Sequence, residues 1–173
     1  MLTRLRNPNS LSRVIARRLP NLHSGVFHAL NVLMPEELAR SDLLVSKVDG
    51  APDLYMRVLE RHNYTTFLQL TYLLGAGREQ QPNAHIRVYH DARMAEATSF
   101  SPQQGIERLA GPELPARGLV ERSWRMNRAL LKWLEHLLAE GHSAQTMRAA
   151  EDIVGLPEPD PIPAEILDEA RAD

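Results

Sequence analysis

Between Leu54 and Tyr72 two arms of the chain carry apolar residues at every second position, and that alternation constrains the fold more than any other feature. Leu54, Met56 and Val58 mark one arm; Thr66, Leu68, Leu70 and Tyr72 mark the other. A strand turns successive side chains to opposite faces, so each arm has one apolar row. A two-residue loop at His62-Asn63 would set the two rows on opposite faces. A three-residue loop, Arg61-His62-Asn63, pairs residues 58 with 66, 56 with 68 and 54 with 70, and puts them together. Three-residue hairpin loops place a left-handed residue near their end, and Asn63 suits that position. An antiparallel sheet with one buried face follows.

The other elements fit around this hairpin. Asn21 is a suitable cap for a helix carrying Leu22, Val26, Ala29, Leu30 and Leu33 on one face and ending at Pro35. Asp42–Val48 reads as a strand closed by the Asp49-Gly50 turn. Gly75–Asn83 reads as a loop, His85–Tyr89 as a strand, and Arg93–Phe100 as its bent continuation or hairpin partner. Ser101–Gly118 is punctuated by Pro and Gly and reads as loop. Val120–Glu140 has the period of a long helix, with Gly141 as its stop. Asn127 falls inside its apolar stripe, where a buried amide needs hydrogen-bond partners. The fold expected is α+β: an antiparallel sheet of four or five strands with two amphipathic helices on its apolar face.

A chain of 173 residues is long enough for one real core. The domain is placed at residues 20–142, after a basic extension over residues 1–19 and before an acidic tail over residues 143–173 with alternating Pro157, Pro159, Pro161 and Pro163. Six Arg against Glu36 and Glu37 give residues 1–40 a charge of +4. Residues 41–134 hold +2 and residues 135–173 hold −8. The tails thus hold the charge imbalance, and the domain lacks the basic excess of a nucleic-acid binder. The sequence has no cysteine, which excludes disulfides and Cys-ligated metals and suits a reducing cytoplasm. No apolar run is long enough to span a membrane.

The chemistry-bearing residues concentrate in Arg87-Val-Tyr-His-Asp-Ala-Arg-Met-Ala-Glu-Ala97, where ionisable groups fall on both faces of a strand pattern. A turn at Asp91-Ala92 would oppose Arg87 to Glu96 and Tyr89 to Met94. His90, Asp91, Glu96 and His62 are of ligating types, but no second spaced pair supports a metal site, and no cofactor is expected. His23, His28, His85, His136 and His142 read as incidental. There is no nucleotide-binding glycine loop, no Gly-x-Ser-x-Gly elbow and no His-Glu-x-x-His.

His62-Asn-Tyr-Thr-Thr66, Arg87-Val-Tyr-His-Asp-Ala92 with Ala95-Glu96, and the helix pattern Asn127, Leu130, Trp133-Leu134, Leu138-Ala139, Gly141 together resemble the YqiB-like family over about residues 20–142. The resemblance implies a small cytoplasmic proteobacterial α+β protein with no assigned reaction. Relatives are encoded beside a Nudix-type ADP-ribose pyrophosphatase and a cyclic-nucleotide phosphodiesterase, an association that carries no mechanism. Two functions are weighed. One is a non-enzymatic regulatory or adaptor protein that offers a polar strand face (Arg87, Tyr89, Asp91, Arg93, Glu96) to a partner protein or a small anionic ligand. The other is a small enzyme or nucleotide binder in which Arg87 and Arg93 hold a phosphate and His90 and Asp91 act as acid and base. Convergence of these groups with Tyr64 and Asn127 on one pocket would favour the ligand; a spread would favour the adaptor.

Overall fold

The computed structural model describes residues 8–39, 42–74, 79–101 and 116–150. The Pro-rich tail beyond residue 150, residues 1–7 and most of the loop expected at Ser101–Gly118 lie outside them. Helix α1 is Pro8–Leu33; strands β1 to β5 are Leu43–Ser46, Leu54–Arg61, Thr65–Leu74, Glu79–Tyr89 and Met94–Ser101; helix α2 is Ala116–Glu140; a 3-10 turn at Ala144–Thr146 leads into β6, Met147–Ala149. The strands form one sheet in the order β5-β4-β3-β2-β1-β6, and every pairing is antiparallel.

The α+β class holds, with six strands rather than four or five. The sixth lies beyond the boundary expected at residue 142. Met147 is buried in the core and the Ala150 N–H donates to the Leu43 carbonyl at 2.9 Å, so the fold runs at least to Ala150. At the other end α1 starts at Pro8, well before the expected cap Asn21, and continues through Pro20. The β4 strand also starts early. Glu79–Asn83, expected as loop, is strand, and Pro82 stands where the ladder to β3 shifts register between Thr71 and Leu73. A residue without an N–H fits a break in the ladder.

The hairpin follows its predicted face but not its predicted register. Leu54 pairs with Tyr72, Met56 with Leu70 and Val58 with Leu68, two residues along from the expected pairs. A shift of two keeps every side chain on its face, as the apolar rows require. A bulge between Val58 and Glu60 lets the strands close on Arg61–Thr66. Asn63 has no positive φ among the described residues, so the left-handed position expected there is not used.

Leu54, Met56, Leu68, Leu70, Ala84, Ile86, Val88, Ala95 and Ala97 form the apolar sheet face. Val26, Phe27, Leu30 and Leu33 of α1 and Leu130, Trp133, Leu134 and Leu137 of α2 complete the core with them. Leu130, Leu134 and Leu137 are spaced as one helical face. Gly141 ends α2 at φ +102, a conformation suited to glycine. Its N–H donates to Leu138 and that of His142 to Leu137, the two bonds of a Schellman cap.

Candidate functional site

The Arg87 and Glu96 pairing expected from the turn is present: Arg87 opposes Glu96 and Tyr89 opposes Met94. Both charged residues point away from the core-facing row. Arg87 Nη2 donates to Glu96 Oε1 at 2.6 Å, Nε donates to the same oxygen at 3.2 Å, and the Tyr89 hydroxyl donates to it at 2.8 Å. The guanidinium carbon lies 5.0 Å from the centre of the Tyr89 ring, a cation–π contact. Across the edge of β5, His23 Nε2 of α1 comes within 3.9 Å of Glu96 Oε2. Burial pushes the Glu96 carboxyl up, but the Arg87 and Tyr89 hydrogen bonds and the Arg87 and His23 charges outweigh it and hold the group below its usual value. Burial pushes His23 down, against the pull of Glu96.

This cluster continues a polar row across three strands. Gln69 Nε2 donates to Asn83 Oδ1 at 3.0 Å, and His85 Nδ1 bonds Ser99 Oγ at 2.7 Å. Neighbouring strands thus link polar side chains across the sheet.

The other candidates stand elsewhere. His90, Asp91 and Arg93 belong to the turn between β4 and β5, beside Tyr64 at the β2–β3 tip. The His90 N–H donates to the Tyr64 carbonyl at 2.8 Å and ties the two tips together. The His90 ring turns to the opposite face from Arg87, where Nε2 bonds Thr66 Oγ1 at 2.8 Å. Burial and the nearby Arg61 charge lower its pKa, and Asp91 partly restores it. Arg61 itself donates to the Leu38 carbonyl. Asp91, Ala92 and Arg93 are exposed, and Tyr64 is 55% exposed. Arg93 adopts φ 53. Arg87 and Arg93 thus do not share a strand face, and the phosphate clamp expected of them is not assembled.

Asn127 is fully buried on the core side of α2. Its Oδ1 accepts the Ala97 N–H at 2.8 Å and its Nδ2 donates to the Ser123 carbonyl at 2.9 Å. The β4–β5 ladder shifts register beside Ala97. Asn127 is therefore a structural bridge to an irregular strand, apart from Glu96 and the hairpin tips. The eight sequence candidates divide among three places: the Arg87–Tyr89–Glu96 cluster, the paired tips and the α2 interface. Among the described residues no three His, Asp or Glu side chains group as a metal ion requires.

Residues 29–143 match the DUF1249 family, described as a protein of unknown function. The chain belongs to DUF1249. No curated protein and no solved structure matches it. The DUF1249 match spans the β2–β5 meander and α2 but stops short of β6, so it contains all eight candidates.

A second polar cluster, outside the sequence candidates, lies at the opposite end of this DUF1249 domain. His142, expected to be incidental, is 1% exposed. Its Nδ1 bonds Ser46 Oγ at 2.7 Å, and Ser46 Oγ bonds Thr146 Oγ1 at 2.6 Å. Nearby, the Tyr72 hydroxyl donates to Glu140 Oε2 at 2.7 Å, and burial together with Glu140 pushes that phenol well above its usual range. Burial lowers His142, partly offset by Glu140, the Pro52 carbonyl and Asp53. The signal was its position two after the helix end. The residue there folds back onto the last turn of a Schellman cap and is commonly buried. Ser46 is itself fully buried, so this Ser–His pair is a joint between β1, α2 and β6 rather than an exposed nucleophile.

Proposed function

We propose that this DUF1249 protein is a non-enzymatic, cytoplasmic regulatory or adaptor protein that docks a partner protein on its paired hairpin tips. The observation that carries the reading is the His90 to Tyr64 backbone bond, which joins two neighbouring tips and leaves Tyr64, Asp91 and Arg93 facing solvent together. Aromatic and Arg side chains supply much of the binding energy at protein interfaces, and a rigid backbone lowers the ordering cost. The Arg87–Tyr89–Glu96 cluster backs the β4–β5 tip as a satisfied network. The separation of His90 from Arg87, on opposite faces of one strand, argues against acid–base chemistry on a phosphate held by Arg87. A cysteine-free chain fits the cytoplasm, and the YqiB-like resemblance supports a proteobacterial origin. No helix among the described residues is long and apolar enough to cross a membrane.

The test is site-specific photo-crosslinking in the source cell, with the reactive group at position 64 or 93 and a control at Glu135 on α2. A discrete adduct from both tip positions and none from the control is expected. A parallel thermal-shift screen of nucleotides and inorganic phosphate addresses the ligand reading, because a ligand at a hundred times its Kd adds about 2.7 kcal/mol. No adduct from either tip, with a clear shift from a nucleotide, would replace the adaptor by a small-molecule binder.

A further inference from the structure

Along α2 the stretch Arg122-Ser-Trp-Arg-Met-Asn-Arg-Ala-Leu-Leu-Lys132 holds four cations and no carboxylate. Asn127, Leu130, Leu134 and Leu137 are buried and fix the rotation of the helix. Each residue advances by about 100°, so Arg122, Arg125, Arg128 and Lys132 fall on the opposite side, along the solvent crest. All four are exposed, and among the described residues no Asp or Glu pairs with any of them. At about 1.5 Å per residue the row is roughly 15 Å long.

A solvated helix face normally interleaves opposite charges at i, i+3 and i, i+4. This one places Arg122 with Arg125, Arg125 with Arg128, and Arg128 with Lys132 at those spacings, against Glu121 before Arg125 and Glu135 after Lys132 as the only opposite charges so spaced, so like-charge neighbours predominate. The arrangement costs the free helix stability, and an acidic occupant would recover it. Arg forks bind carboxylates in bidentate fashion. Leu119, 61% exposed and one turn before Arg122, adds an apolar contact at one end of the row.

The shape of the row selects the occupant. Glu121 and Glu135 bracket it, so a long polyanion running past either end meets negative charge. No exposed aromatic side chain stands on the crest for bases to stack on. A run of about 15 Å matches four or five extended residues at roughly 3.3 Å each. We propose that the α2 crest is a docking surface for a short acidic segment of a partner protein, three or four carboxylates long, with Leu119 packing an apolar residue beside it. The surface is separate from the hairpin tips, and the proposal stands whether or not the tips bind a protein.

The probe is a fluorescent peptide with four Glu and one Leu, titrated into the full-length protein and followed by anisotropy. Its Glu→Gln counterpart and a short DNA duplex are the comparisons. Binding of the Glu peptide should weaken at least tenfold in R125E/R128E and less than twofold in R17E/R18E, which alters net charge equally on exposed α1 positions. R125Q/R128Q serves if charge reversal disturbs folding, and Leu119→Ser should weaken binding about threefold. The Gln peptide should bind at least tenfold more weakly. Equal loss in the two charge-reversal variants would reduce the effect to net charge and overturn the proposal. So would the absence of binding at millimolar peptide, or tighter binding of the duplex that R125E/R128E abolishes; the last outcome would make the crest a nucleic-acid surface.

Discussion

Asn127 does what no apolar residue of its size can do, because its amide oxygen takes an N–H that the β4–β5 ladder leaves at a register shift. Replacing it with Leu strands the Ala97 N–H in the core. Asn127→Leu should cost about 1–3 kcal/mol, the desolvation penalty of an unpaired buried donor, read as a lower urea midpoint at unchanged slope. An unchanged midpoint would mean that Ala97 finds another acceptor. Glu96 poses the reverse problem, since three groups converge on one carboxylate. Arg87→Ala removes its main cation but leaves Tyr89 and His23, and both partners are part-buried. The expected loss is about 1–2 kcal/mol, between the values of surface and fully buried pairs. A neutral or stabilising result would show that Arg87 is a strained binding group held ready for an anion.

At the scale of elements, alternation and helical period were legible because they repeat the same instruction many times. The α2 stripe, the Arg87–Glu96 pairing and the common face of the β2 and β3 apolar rows all followed from spacing. Neither the longer loop that closes on Arg61–Thr66 nor the bulge near Leu59 was legible; together they moved the pairing by two, and nothing in the local sequence marks them. The β6 strand was missed because three residues beside a Pro-rich acidic run carry too little pattern; only Met147 anchors them in the core. The candidate site was half legible. Residue types pointed to Arg87, Tyr89 and Glu96, but parity alone shows that His90 must face the other way, and His142 needed the cap geometry. Two measurements follow. Chains ending at Ala150 and at Ser143 differ only by residues 144–150, so their difference in stability isolates the last strand. The shorter should be weaker by about 1–3 kcal/mol, for Met147 burial and the Ser46–Thr146 bond. In the β4–β5 turn Arg93 holds φ 53, which glycine adopts without steric cost. Arg93→Gly should therefore be neutral or stabilising by up to about 1 kcal/mol in a thermal melt. A loss would show that the Arg93 side chain makes a contact worth more than the backbone strain.

For the whole molecule, three histidines placed far apart respond to pH in the same direction. His23 stands at the α1–β5 edge, His90 at the hairpin tips and His142 at the α2–β6 joint, and burial lowers each from 6.5. A lowered histidine is held neutral by the fold, so as pH falls the unfolded chain takes up protons first. Stability is full above about 6.5, declines as pH passes from there toward the lower folded values, and levels once the folded form protonates too. Glu96 acts later and for another reason. Its folded carboxyl lies below 4.5, so its contribution is complete above 4.5 and is lost on further acidification. The melting temperature should therefore fall in two stages, the first setting in below about pH 6.5 and the second below about 4.5. His142→Asn keeps an amide near Ser46 while removing one titrating ring, so it should flatten the first stage and leave the second intact. Tm measured every half unit from pH 8 to 3 on both proteins decides the matter. If the wild type instead gained stability between pH 7 and 5, His142 would be carrying its proton in the fold, donated toward the Pro52 carbonyl with Glu140 and Asp53 as counter-charges, and the joint between β1, α2 and β6 would be an ion pair rather than a neutral hydrogen-bonded chain.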